Sequence, residues 1–261
     1  IAGNGTAAAN QNLTQDGGTF YGNGIYANGA KDVSIVTNTI AGNGIKAIAP
    51  ESKEASTKVL ANGIYAVDTT NLAVTANDIV GNGTDAADSA QLAVFANGVF
   101  SDGSTPVQIT GNTISANGGD GVEVKNADDN AIRSNSIFGN GGKGISLSNG
   151  NGDQPAPEVS SALLSPNGTL VVSGTVSPLI GYMNDFELQV FYSPSSVALN
   201  VPGRAVIYTK SDVAAGPFSY SFTVPSPVVD GGFITATVTP TSGASNTSKF
   251  SDSAEVKKGS N

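Results

Sequence analysis

The chain has 261 residues, 39% of them hydrophobic and only 13% charged, with 21 acidic against 12 basic side chains and a formal net charge of −9. That excess of carboxylates, with no basic patch, excludes nucleic acid and anionic membrane surfaces as electrostatic partners. The absence of Cys and His removes disulfides, thiolate metal sites and the commonest general base near neutral pH.

Five words of one pattern punctuate the first half: IAGNG from Ile1, IAGNG from Ile40, IVGNG from Ile79, ISANG from Ile114 and IFGNG from Ile137, spaced by 39, 39, 35 and 23 residues. Such a recurrence marks a stacked solenoid, in which each repeat buries its apolar face only against its neighbours. Four of the words follow a short run ending in Asn: VSIVTN to Asn38, LAVTAN to Asn77, VQITGN to Asn112 and AIRSN to Asn135. These runs alternate apolar and polar residues, are rich in β-branched types and are too short for helices. Further short runs start at Gly24, Gly63, Gly98, Gly121 and Gly144. The repeat corners, at Gly5, Gly44, Gly83, Gly118 and Gly141, are expected to need a positive φ.

The leanest step, GVEVKNADDNAIRSNSIFGNGGKG, fits three short strands into 23 residues, which is one coil of a parallel β-helix. Each coil advances by about 4.8 Å, so five to eight coils make a rod of about 25 to 40 Å. Asn38, Asn77, Asn112 and Asn135 then fall in register as a structural ladder, their stacked amides satisfying backbone groups at a corner. The longer repeats carry their surplus after the word: TAAANQNLTQDGG from Thr6, IKAIAPESKEASTK from Ile45 and TDAADSAQ from Thr84. Each long repeat is either one coil with a lateral excursion or two lean coils. In both layouts polar segments recur at one angular position and decorate one face, as surface loops or as a contact surface.

The segment SNGNGDQPAP from Ser148 is a boundary, placing a β-helix over 1–152 and a second domain over 153–261. Beyond it come longer alternating runs, among them TLVVSGTVS from Thr169, DFELQVFYS from Asp185, FITATVTP from Phe233 and KFSDSAEVK from Lys249. Six or seven strands in about 105 residues predict an antiparallel sandwich of immunoglobulin-like type, here without the Cys and Trp of antibody domains.

The words ITGNTISANGGDGVEV and SNSIFGNGGKGISL, with the terminal GGFITATVTPTSGASNTSKFSDSAEV, resemble bacterial cell-surface proteins with right-handed parallel, pectate-lyase-like β-helix repeats. The resemblance covers most of the chain and implies an all-β protein, a β-helix running into an Ig-like sandwich, at an extracellular or cell-surface location. That group includes adhesins, envelope proteins and enzymes.

No apolar run approaches the roughly 20 residues that span a bilayer, and the chain opens inside a repeat, at Ile1, read as an open solenoid end. Asn4, Asn12, Asn82, Asn167 and Asn246 stand in the glycosylation acceptor pattern. For enzymatic chemistry the means are sparse. Arg133 and Arg204 are the only arginines, and the carboxylate pairs are Asp120 with Glu123 and Asp128 with Asp129. Glu123 alternates with Val122 and Val124 and is expected to face solvent; Asp128 and Asp129 lie in a turn. Asp16, Asp102, Asp153, Asp230 and Asp252 sit near corners where carboxylates and carbonyls take calcium, with a structural ion near Asp153 as one arrangement, though no EF-hand loop is present. Otherwise no metal or other cofactor is expected.

The expectation is therefore a non-enzymatic extracellular structural subunit that self-associates end to end into a filament or surface array, since an uncovered solenoid edge pairs with another chain. The alternatives are an adhesive or glycan-binding surface module using the excursions or Phe20, Tyr21, Tyr26 and Tyr65, and a polysaccharide-cleaving enzyme using Asp128 or Asp129.

Overall fold

The computed structural model describes residues 19–44, 58–84, 93–178, 185–194, 203–224 and 228–259. The first coil holds β1 (Thr19–Tyr21), β2 (Ile25–Asn28), β3 (Lys31–Val36) and β4 (Thr39–Ala41), and the second β5 (Lys58–Leu60), β6 (Ile64–Val67), β7 (Thr70–Thr75) and β8 (Asp78–Val80). The third holds β9 (Ala93–Phe95), β10 (Val99–Asp102), β11 (Val107–Thr110) and β12 (Thr113–Ser115). The fourth is leaner, with β13 (Val122–Lys125), β14 (Asn130–Arg133) and β15 (Ser136–Phe138), and β16 (Ile145–Ser148) opens a fifth.

Equivalent strands stack in parallel, giving sheets β2-β6-β10-β13-β16, β3-β7-β11-β14 and β4-β8-β12-β15. The register Val33↔Leu72, Leu72↔Val107 and Val107↔Asn130 assigns one coil to each repeat, long or short. Two lean coils per long repeat are thereby excluded, and the described strands that follow the surplus segments, β1, β5 and β9, form a separate parallel sheet. The 23-residue repeat has no such strand among the described residues.

Inside, the alternation of the runs becomes columns of aliphatic side chains. The first residues of the words, Ile40, Ile79, Ile114 and Ile137, are buried in one column, and Ile64, Val99, Val122 and Ile145 in another. Each side chain taken from water this way contributes roughly 1.5–3 kcal/mol before chain entropy is counted.

The corners are built from a left-handed residue followed by Asn. Thr37, Ala76, Gly111 and Ser134, with φ of 54°, 55°, 67° and 56°, precede Asn38, Asn77, Asn112 and Asn135. Gly42, Gly81, Ala116 and Gly139 do the same before Asn43, Asn82, Asn117 and Asn140. Only some of the expected corner glycines need a positive φ. Gly44 and Gly83, which lead into excursions, take φ of 67° and 65°. Gly118 and Gly141, where the chain turns straight into the next strand, do not; a Cβ on Gly118 would stand 2.2 Å from Gly83 O, so close backbone approach excludes a side chain. Gly5 lies outside the described residues.

Past a 3₁₀ turn at Asn151–Asp153 the chain forms β17 (Glu158–Leu164), β18 (Thr169–Val176), β19 (Phe186–Ser193), β20 (Ala205–Val213), β21 (Gly216–Thr223), β22 (Phe233–Pro240) and β23 (Ala254–Lys258). The order is β20-β19-β22-β23-β17-β18-β21. It is not wholly antiparallel as expected, because β17 and β23 pair in parallel through Ala162↔Val256. Ala162, Leu170, Leu188, Phe218, Ile234 and Val256 share one apolar cluster, so this sheet closes around a single core. Only Ala254–Lys258 of the run from Lys249 is strand.

The residues ahead of β23 lie along the last solenoid rim. Thr247 N donates to Asn130 O at 3.2 Å, and Thr247 Oγ1 accepts from Ile132 N at 2.9 Å. Asn246 Oδ1 accepts from Asp129 N at 2.6 Å, Gln189 Oε1 from Ser134 N at 2.8 Å and Gly203 O from Ile137 N at 2.9 Å. The Phe250 ring packs on the solenoid core and meets Phe191 edge-on at 5.0 Å, while Arg204 Cζ lies 4.6 Å over the Phe138 ring. Arg133 Nε stands 3.5 Å from Glu187 Oε1, close enough for an ion pair but outside hydrogen-bond geometry. No helix among the described residues is long and apolar enough to cross a membrane.

Candidate functional site

Three columns of polar side chains run the length of the solenoid. In the first, Asn38 N donates to Asn77 Oδ1 at 2.8 Å, Asn77 N to Asn112 Oδ1 at 2.8 Å and Asn112 N to Asn135 Oδ1 at 2.9 Å. Each of the last three amides also reaches a backbone carbonyl of the preceding coil, as Asn112 Nδ2 does to Val74 O at 2.8 Å. The second column, Asn43, Asn82, Asn117 and Asn140, repeats this pattern and the same direction of donation. It lies inside the five words, where recurrence at every repeat was its signal.

The third column runs the other way. Asn62 N donates to Asn23 Oδ1, Asn97 N to Asn62 Oδ1, Asp120 N to Asn97 Oδ1 and Lys143 N to Asp120 Oδ1. Asp120 therefore takes an Asn position in a ladder, and its carboxylate oxygen caps the next coil. Where the amides of these columns are buried, as at Asn77, Asn82, Asn97, Asn112 and Asn117, leaving one unpaired would cost about 1–3 kcal/mol.

The surface feature of most chemical interest lies where the lateral sheet meets the outer face of β2-β6-β10-β13-β16. Parallel register aligns Tyr26, Tyr65, Phe100, Glu123 and Ser146 in one outward column. Tyr21, Leu60 and Phe95 align opposite, on β1, β5 and β9. Ring centroids run Tyr21–Tyr26 5.5 Å, Tyr26–Tyr65 5.4 Å, Tyr65–Phe100 5.1 Å and Phe100–Phe95 5.3 Å. The stack is graded: Phe100 is 2% exposed, whereas Tyr21 and Tyr26 are 55% and 47% exposed. Between the sheets lies a cleft of about 180 Å³, with Lys58, Asp102 and Lys125 on its walls. Lys125 Nζ is 3.9 Å from Asp102 Oδ2, and Asn126 Nδ2 donates to Asp102 Oδ1 at 2.9 Å. Burial, reinforced by the Asp102 charge, pushes the Tyr65 phenol above its ordinary value.

Glu123 stands at the end of the ring column, in the coil that carries no lateral strand. The expectation of a solvent-facing Glu123 is corrected: it is half-buried, and Asn97 Nδ2 donates to its Oε2 at 2.8 Å. Burial raises its pKa above the usual carboxylate range and the nearby Asp120 and Asp102 add to this, against the Asn97 bond and Lys125. Alternation within the strand was read correctly as outward; what it could not carry is that the outward face is partly covered.

The other carboxylate pair is placed elsewhere. Asp128 Oδ1 accepts from Gly152 N, and Asp129 Oδ1 from Ser245 N at 2.7 Å. Asp128 stays exposed at the turn, bonded to the 3₁₀ segment, whereas Asp129 is partly buried against Ser245 of the C-terminal region. Asp102 belongs to the cleft and Asp230 lies 3.9 Å from Lys258. Among the described residues no three acidic side chains converge as a metal site; Asp16 lies outside them. Of the acceptor-pattern asparagines, Asn82 and Asn246 are buried in hydrogen bonds and Asn167 is exposed, while Asn4 and Asn12 fall outside the described residues. The Phe20 side chain also lies outside them.

The sequence matches no curated protein. The family model described as the right handed beta helix region matches residues 2–160. Those residues contain the parallel sheets, the three polar columns and the aromatic cleft, and by them the chain belongs to the right-handed β-helix family.

Proposed function

We propose that the chain is a non-catalytic, extracellular glycan-binding module, holding an extended sugar polymer along the cleft beside the tyrosine column. The observation that carries this reading is the pair Tyr21 and Tyr26, two large rings kept about half exposed in a stack whose other members, Tyr65, Phe95 and Phe100, are more covered. Exposed rings beside Asp102, Lys58 and Lys125 offer apolar faces and hydrogen-bonding edges together, which is the surface a sugar requires. Asp128 and Asp129 are engaged in structural bonds, which favours binding over cleavage. In this reading the C-terminal region is an Ig-like sandwich. Its support is the split of the strand order into β20-β19-β22-β23 and β17-β18-β21, joined only by the parallel β17–β23 contact.

End-to-end assembly has less support, because the rim donors Asp129 N, Ile132 N, Ser134 N and Ile137 N are already taken by Asn246, Thr247, Gln189 and Gly203. Fibres by electron microscopy would restore it. The binding reading is tested by affinity electrophoresis in gels of neutral and uronic polysaccharides. At about 0.5–1.5 kcal/mol per ring, Tyr21→Ala with Tyr26→Ala is expected to weaken retention by about tenfold, and Asp128→Asn to leave it unchanged. Retention by none of the polymers, or retention indifferent to the tyrosines, would overturn it.

A further inference from the structure

We propose that Tyr21 and Tyr26 form an oxidative cross-linking site, at which their two phenol rings couple into a dityrosine that staples the lateral sheet to the solenoid. The rings are 5.5 Å apart between centroids and inclined at 42°, on different sheets. That separation is set by backbone. Between them the chain passes Gly22, whose N donates to Leu60 O at 2.7 Å, and Gly24, whose N donates to Asn62 O at 3.0 Å. A Cβ on Gly24 would stand 2.6 Å from Ile40 Cγ2 and 2.7 Å from Gly63 O, so the corner cannot relax outward by accepting a side chain. Both rings are about half exposed and open to a small oxidant. Tyr65, the next ring along, is more covered, and its phenol gives up a proton less readily because burial and Asp102 raise its pKa.

The coupling needs a one-electron oxidant, supplied by hydrogen peroxide with a peroxidase. Each phenol loses one electron and its hydroxyl proton. The two radicals join through a carbon–carbon bond between ring positions ortho to the hydroxyls, and the hydrogens at those carbons shift to the oxygens as both phenols are restored. Peroxide takes up the two electrons and two protons and leaves as two waters. The closed ring spans few residues, so little unfolded-chain entropy is removed and the staple acts locally. The proposal stands whether or not the cleft binds a glycan.

The test is peroxidase and peroxide treatment of the whole chain at low protein concentration, followed by mass spectrometry and peptide mapping. A monomer lighter by two hydrogen atoms, with dityrosine fluorescence and a link between Tyr21 and Tyr26, is expected. Tyr21→Phe and Tyr26→Phe each keep the ring contact and are expected to abolish the link, while Tyr65→Phe retains it. A link mapped to other tyrosines, dimers without a monomeric product, or no coupling under conditions that couple free tyrosine would each overturn the assignment.

Discussion

The solenoid and the C-terminal sheet bury comparable aliphatic side chains but organise them in opposite ways. In the solenoid each strand meets its counterparts one coil before and one coil after, and the interior polar groups are threaded into columns that cross every coil. In the sheet all seven strands contribute to one cluster, closed by a contact between its first and last strands. A lesion in the first is felt along a column through near neighbours, and one in the second is felt by the whole core.

The largest expected effect tests the columns. Asn112→Ala removes the acceptor for Asn77 N and Nδ2 and the donor to Val74 O. At about 1–3 kcal/mol for each buried group left unpaired, urea denaturation should show a loss of about 3–5 kcal/mol. A loss below about 1 kcal/mol would mean the ladder is ornamental. Next comes the sheet's core, where Leu188→Ala should cost about 2–5 kcal/mol. Hydrogen exchange is expected to quicken from β17 to β23 together while β6 to β8 keep their protection; exchange confined to β19 would deny the single-core description.

The boundary between the regions gives a smaller effect. Thr247→Val keeps the shape and removes the acceptor of Ile132 N, for an expected loss of about 1–2 kcal/mol with faster exchange at the Ile132 amide. At the corner, Thr37 is a β-branched, exposed residue at φ 54°. Thr37→Gly should raise stability by about 1 kcal/mol, seen as a higher Tm, and a lower Tm would contradict the assignment of strain there.

The smallest effect concerns Glu123. Its folded-state pKa stands above the unfolded one, so its contribution is whole below the ordinary Glu range and is lost as pH rises through the raised value. Glu123→Gln keeps an acceptor for Asn97 and should flatten that decline. A pH profile of stability unchanged by the substitution would remove burial as the cause.

Much of this was legible in the chain because a solenoid repeats its local rules. The five words and the Asn-ended runs predict coils and a register, and the spacing alone named the column from Asn38 to Asn135. The column from Asn43 to Asn140 was equally recurrent but hidden, because Asn beside Gly reads as turn chemistry. Non-glycine left-handed corners at Thr37, Ala76 and Ser134 leave no compositional mark. The cleft was out of reach for another reason. It forms between two sheets, and the strands β1, β5 and β9 follow segments whose composition resembles ordinary loops. The rim contacts join residues 115 and 117 positions apart, and no local pattern reports those.

The opposed directions of the polar columns bear on the order in which the chain can settle. In the columns from Asn38 and Asn43 each amide waits for an oxygen that arrives one coil later, whereas in the column from Asn23 each new coil donates back to one already in place. A chain growing from its amino end therefore always carries one coil with two corners still open. The last of these, between Asp129 and Ile137, stays open until residues 189 to 247 have been made. Synthesis of the rod and its completion are separated by more than a hundred residues of further chain, and in that interval the rim must be kept from other strands.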